Sequence, residues 1–124
     1  MSKPSEHDEQ TAFFEYLEWQ QNMEPDLQWA YAIPNGQYRP GQRPEAGLKS
    51  GVPDINIPIA RGGYIGLYIE LKIDGGKVSD NQRKWIDGLV GLGHAVRVCY
   101  GFDAAKDTLD WYMGLERTVI VPPF

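Results

Sequence analysis

Cysteine is nearly absent: the 124 residues hold one, Cys99. A lone thiol excludes an internal disulfide framework and any metal site built from several cysteines, and it points to a reducing cytosol. Histidine is scarce as well. His7 and His94 stand far apart, so neither belongs to a ligand-spaced zinc cluster. No apolar run exceeds a few residues, so nothing in the chain reads as membrane-spanning. The opening Met-Ser-Lys-Pro runs directly into acidic residues, unlike a secretory leader. The glycine pairs at 62–63 and 75–76 lack the spacing of a phosphate-binding loop, so no nucleotide cofactor is expected.

What is present is an ordinary globular mix, 42% apolar and 23% charged, of a size that suits one domain over residues 1–124. The net charge is −5, from 12 bases and 17 acids, which by itself argues against a phosphate-rich partner. The distribution qualifies that. Residues 1–30 carry seven acids and one base, whereas residues 31–100 carry nine bases and six acids. The middle of the chain is therefore mildly basic and compatible with an anionic partner.

Local patterns predict the order α-β-β-β-α-β-α. A helix is expected from Ser5 to Gln21, capped by Ser2 or Ser5, with Gln10, Phe13, Phe14, Leu17 and Gln21 on one stripe. A short strand is expected within Leu27–Ile33. Prolines 34, 40 and 44 make residues 34–51 a loop. Asp54–Ile59 and Tyr64–Ile73 read as strands joined at Arg61-Gly62-Gly63, with Leu67, Ile69 and Leu71 on one face and Tyr68, Glu70 and Lys72 on the other. Ser79 with Gln82 forms a capping-box pattern before a second helix. Ala95–Tyr100 is a strand, Asp103 is expected to cap a third helix, and the apolar stretch Thr118–Phe124 suggests an edge strand or a partner contact. The four tryptophans are expected in the core or at an interface, and Cys99 in the core. Together these describe an α/β fold with a mixed central sheet flanked by helices on both faces.

The chemistry concentrates at Asp54, Glu70 and Lys72. An antiparallel pairing through the 61–63 turn brings Asp54 towards the end of the second strand, where Glu70 and Lys72 share a face. Two carboxylates at one point are the donors of a Mg²⁺ site, and a lysine beside them can orient a water or steady charge on a phosphate. The plainer alternative is a same-face ion pair on an exposed strand.

The surrounding residues narrow this. Gly51-Val52-Pro53-Asp54, Gly66-Leu67-Tyr68-Ile69-Glu70-Leu71-Lys72 and Gly75-Gly76-Lys77-Val78-Ser79-Asp80-Asn81-Gln82 occur in that order. They are joined by Pro34-Asn35-Gly36 with Arg39 and by Ser5-Glu6 with Gln10. The set resembles the VRR-NUC family, the virus-type replication-repair nuclease branch of the PD-(D/E)XK superfamily. The resemblance spans about residues 5 to 105 and is nearest to the stand-alone phage and bacterial members.

That resemblance implies a restriction-endonuclease-like core and a divalent-metal-dependent DNA endonuclease using Mg²⁺ or Mn²⁺. It implies metal ligation by Asp54, Glu70 and the backbone carbonyl of Leu71, with Lys72 assisting the attacking water. A further helix carboxylate maps to Glu6, with Glu9 as the alternative. The glutamine opening the following helix maps to Gln82, for which capping and function both stay open. Asn35, Arg39, Arg43 and Lys49 become candidates for tracking a DNA backbone. The resemblance further implies a homodimer acting on four-way (Holliday) junctions in the cytoplasm, phage or prophage origin included. A flap or nonspecific nuclease, or a non-catalytic module binding DNA or a replication protein, are the alternatives.

Overall fold

A computed structural model describes residues 4–34, 41 and 45–123. Helix α1 (Glu6–Gln20) begins where Ser5 and Asp8 form a reciprocal capping box, each side chain accepting the other's backbone N–H. Phe13 and Leu17, one turn apart, are its buried residues. A short 3-10 turn (Pro25–Trp29) follows and buries Leu27. Strand β1 (Tyr31–Ala32) is therefore only the end of the expected Leu27–Ile33 segment.

Strands β2 (Ile55–Ile57) and β3 (Leu67–Lys72) pair antiparallel, helix α2 (Asp80–Gly91) crosses over, and β4 (Ala95–Tyr100) returns parallel to β3. Sheet order is β1-β2-β3-β4, and β1 pairs antiparallel with β2. The α/β class and the mixed sheet agree with the expectation. The strand ends differ. Tyr64 and Ile65 stay out of β3 because Tyr64 closes back on Arg61 and the Ile65 N–H donates to the Gly93 carbonyl.

The two sheet faces are unequal. Ile55, Ile57, Leu67, Ile69 and Leu71 meet Phe13 and Leu17 of α1 and Leu109 and Tyr112 of α3 (Phe102–Met113) in the main core. Ile86, Leu89 and Val96 form a second, much smaller cluster under α2, bordered by Tyr68, Trp85 and Val98. The small cluster leaves most of that face to polar groups, and the site residues lie there.

Three expectations are corrected. Asp103 does not cap α3. The cap position is Gly101, and Glu9 of α1 accepts from the Phe102 N–H at 2.6 Å, supplying from another helix the oxygen that the glycine lacks. The 118–123 stretch forms no edge strand; Thr118 bonds back to Ala60 while Val119, Ile120 and Val121 stay exposed, and Phe124 lies outside the described residues. Of the two places expected for the tryptophans, the core is overturned, since none of the four is fully buried: Trp19 and Trp29 are exposed, Trp111 stacks under Arg97, and Trp85 is half-buried. Cys99 is buried as expected, against Thr108, and burial pushes its thiol pKa up. Among the described residues, no helix is long and apolar enough to cross a membrane.

Candidate active site

Register brings the carboxylates together. Ile55 pairs with Ile69 across β2 and β3, so the next step along the ladder sets Asp54 opposite Glu70. Cross-strand neighbours project from the same side of a sheet. Asp54 accepts from the Leu71 N–H at 2.7 Å, which fixes one of its oxygens. Glu70 is 2% exposed and Lys72 9%, so the pair is not a solvated surface ion pair. The Lys72 ammonium lies 3.7 Å from Glu70 Oε1.

Gln82 holds the same Glu70 oxygen. Its Nε2 donates to Glu70 Oε1 at 2.9 Å, while its own Oε1 accepts from the Ser79 N–H. One side chain thus completes the helix cap and reaches the glutamate. The cap orients the amide, because accepting from Ser79 with the carbonyl turns the NH₂ group towards β3.

Glu70 Oε2 is buried and has no hydrogen-bond partner among the described residues. An orphaned carboxylate oxygen is costly in a protein interior. Burial pushes the Glu70 pKa up to about 8, and the charges of Asp54 and, to a lesser degree, Glu6 add to this against the opposing pull of Lys72. Asp54 is raised as well, first by burial, and its carboxyl group is close enough to Glu70 to share a hydrogen bond. Without a cation, the pair suits one shared proton. A divalent cation would replace that proton and satisfy the free oxygen, so the donor chemistry fits Mg²⁺ or Mn²⁺. Among the described residues no three His, Cys, Asp or Glu side chains converge as a metal cluster. Asp54, Glu70 and a backbone carbonyl such as that of Leu71 are the groups that could hold such an ion.

The two helix carboxylates separate clearly. Glu6 is solvent-exposed, yet its charge is felt at both Asp54 and Glu70. Glu9 is half-buried and committed to the start of α3. Lys49 is exposed and lies in a cleft beside Trp85, away from the carboxylates. Asn35, Arg39 and Arg43 lie outside the described residues.

One positioning contact escaped the sequence reading. Asn81 Nδ2 donates to the Ser50 carbonyl at 2.8 Å and meets Ser50 Oγ at 2.5 Å. Gly51 has φ +88°, and a Cβ there would lie 2.9 Å from the Asn81 backbone. The loop before Asp54 is thereby clasped to the first turn of α2, beside Gln82. The signal was present in Gly51 and Asn81, both within the motifs named above, but the pairing of a loop with a helix start 31 residues on is invisible to local pattern.

Comparisons with known proteins agree with this geometry. A family model, the VRR-NUC domain, matches residues 5–103. A solved structure described as a VRR_NUC domain protein superposes with a TM-score of 0.75 at 27% identity, covering 94% of each chain. A search of the curated proteins finds no match. The matched span contains the paired carboxylates, the lysine and the glutamine, and the chain belongs to the VRR-NUC family of nuclease-type, DNA-processing domains.

Proposed function

We propose that the protein is a Mg²⁺- or Mn²⁺-dependent endodeoxyribonuclease acting as a homodimer on branched DNA, foremost four-way junctions. The observation that carries the nuclease chemistry is Glu70: buried, opposite Asp54, one oxygen held by Gln82 and the other without a partner among the described residues, with an ammonium 3.7 Å away. Asp54, Glu70 and the Leu71 carbonyl would hold the ion. When bound, the ion lowers the pKa of a water and neutralises the non-bridging phosphate oxygens.

The chain's own residues do the rest. The Leu71 N–H and Gln82 amide keep the two carboxylates in place, so no reorganisation is needed as charge develops. Lys72 positions the attacking water and steadies negative charge on the phosphate. In-line attack at phosphorus breaks the P–O3′ bond; O3′ leaves with a proton, giving a 3′ hydroxyl and a 5′ phosphate. Glu6 acts at a distance, as a charge at the rim of the site.

The homodimer follows from resemblance and from charge. Two copies could bring two basic middle segments to one DNA, and two-fold assembly supplies the paired incisions that junction resolution requires. Exposed Trp19, Met23 and Trp29 and the 119–121 stretch offer apolar surface for it. The test is incubation with labelled junction, flap, single-strand and duplex DNA, with and without Mg²⁺. Paired nicks in the junction that require Mg²⁺ are expected. A mixed dimer with one Asp54→Ala subunit should nick one strand and leave the opposite one whole. Full resolution by a monomer would refute the dimer, and metal-independent or absent cleavage would refute the enzyme.

A further inference from the structure

Beside the carboxylates, the α2 side of the sheet carries an aromatic groove that the chemistry above does not use. Tyr31 of β1 pairs with Asn56 of β2, which pairs with Tyr68 of β3, so both tyrosines project from one face in one transverse row. That row is two residues from the Asp54–Glu70 row, hence on the same side of the sheet and about 7 Å along it. Helix α2 repeats the spacing: Gln82 meets Glu70, and Trp85, one turn on, packs, as Tyr68 does, against the small cluster. Tyr31, Tyr68 and Trp85 line one cleft of about 410 Å³, and Lys49 stands at its edge. Lys49 and Trp85 also line a second cleft, of about 460 Å³, which adds Lys84.

We propose that this groove binds an unpaired stretch of the DNA strand being cut, with bases stacked on Tyr31, Tyr68 and Trp85 and phosphates met by Lys49 and Lys84. The inference rests on the nuclease reading and names its substrate class: DNA with unstacked nucleotides next to the scissile phosphate, as at a branch point. Three observations favour this occupant. In a chain of net charge −5, the described lining of both clefts contains lysine and no Asp or Glu. The tyrosine row is the next same-face row of the sheet after the carboxylate pair, so a strand leaving the site along that face passes over it. Tyr31 is 50% exposed, with its hydroxyl bonded to the Asn56 amide at 2.9 Å; Tyr68 and Trp85 are half-buried, one side of each packed on the small cluster, with Tyr68 also meeting His94. Exposed rings held in position next to cations are the elements of a sequence-tolerant single-strand site. A duplex, whose bases stay stacked on one another, cannot offer its π-faces to them.

The experiment measures fluorescence anisotropy of a labelled oligothymidylate and of a blunt duplex of equal length, with EDTA present so that nothing is cut. Wild type should prefer the single strand. Tyr31→Ala and Trp85→Leu should each weaken single-strand binding by about fivefold or more while moving duplex affinity little. Tyr31→Phe keeps the ring, losing only the bond to Asn56, and should retain most of the single-strand affinity that Tyr31→Ala loses. Lys49→Ala should weaken both DNAs and lower the salt slope by about one. Tyr31 sits on an edge strand, and an unchanged melting temperature in Tyr31→Ala separates stacking from folding. No single-strand preference in wild type, equal losses on both DNAs, or Tyr31→Phe as damaging as Tyr31→Ala would each overturn the proposal. Groove-dependent binding without Mg²⁺-dependent cleavage would sink the nuclease reading alone, and cleavage indifferent to Tyr31 and Trp85 would sink the groove alone.

Discussion

Replacing Glu70 by Gln should destroy nuclease activity and at the same time stabilise the metal-free protein. The carboxyl group is 2% exposed, faces Asp54 and has its pKa pushed from 4.5 up to about 8. A raised carboxyl pKa means that the folded state holds a proton that the unfolded state has released. Stability from this group is then full below about pH 4.5 and declines as pH rises towards 8. Each pH unit in that window costs about 1.4 kcal/mol, so by pH 7 the loss is up to about 3 kcal/mol. A glutamine cannot ionise. Its carbonyl can still accept from the Gln82 amide, and its NH₂ can donate to Asp54, replacing the shared proton. Urea denaturation in EDTA should show a small difference between Glu70→Gln and wild type near about pH 5 and the full gain near about pH 7. Adding Mg²⁺ should raise the wild-type midpoint and leave the variant's unchanged, because binding to the folded state stabilises by mass action. A variant less stable than wild type in EDTA near neutral pH would refute the account of Glu70 as a desolvated, repelled carboxyl group.

Lys72→Ala should lower the cleavage rate by about a hundredfold or more, with little change in the Mg²⁺ concentration giving half-maximal rate, because the ammonium acts on water and phosphate. A defect fully rescued by saturating DNA would remove that role. Ser79→Ala and Gln82→Ala both break the α2 cap, at a cost of about 1 kcal/mol in thermal unfolding. Only Gln82→Ala also frees Glu70, so single-turnover cleavage should fall much further in Gln82→Ala, and equal losses in the two would make the glutamine a cap and nothing more. Glu9→Ala should destabilise by about 1 kcal/mol, through the uncapped start of α3, and keep its activity, whereas Glu6→Ala should melt as wild type and shift the Mg²⁺ dependence. The opposite assignment of these two effects would exchange the roles of the two glutamates.

Much of the fold was legible because it is built from local signals. Ser5 with Asp8 and Ser79 with Gln82 start helices by chemistry contained within four residues. The alternation of Leu67, Ile69 and Leu71 against Tyr68, Glu70 and Lys72 marks a strand whose apolar side joins the main core. Misreadings arose where a distant element intervened. Asp103 satisfies the local rule for a cap, but Glu9 arrives from another helix and Gly101 takes the cap position. Tyr64 and Ile65 have the composition of a strand, yet their backbone groups pair with Arg61 and Gly93. The apolar 119–121 stretch has strand-forming residues, yet it joins neither edge strand of the described sheet and stays exposed.

By itself, then, the sequence determined the residue types of the site and their order: an aspartate before one strand, a glutamate and a lysine two apart on the next, and a glutamine three residues into a capped helix. It determined the hairpin and the parallel crossover too, since turn glycines and side-chain periods of 2 and 3.6 act over short distances. Tertiary structure alone decided that Asp54 stands opposite Glu70, that the pair is buried, that Gln82 reaches across to it, and that Glu6 rather than Glu9 adds its charge there. The reason is physical. A carboxylate's pKa and its use depend on how many waters are removed and which charges come near, and both are set by strands and helices far apart in the chain.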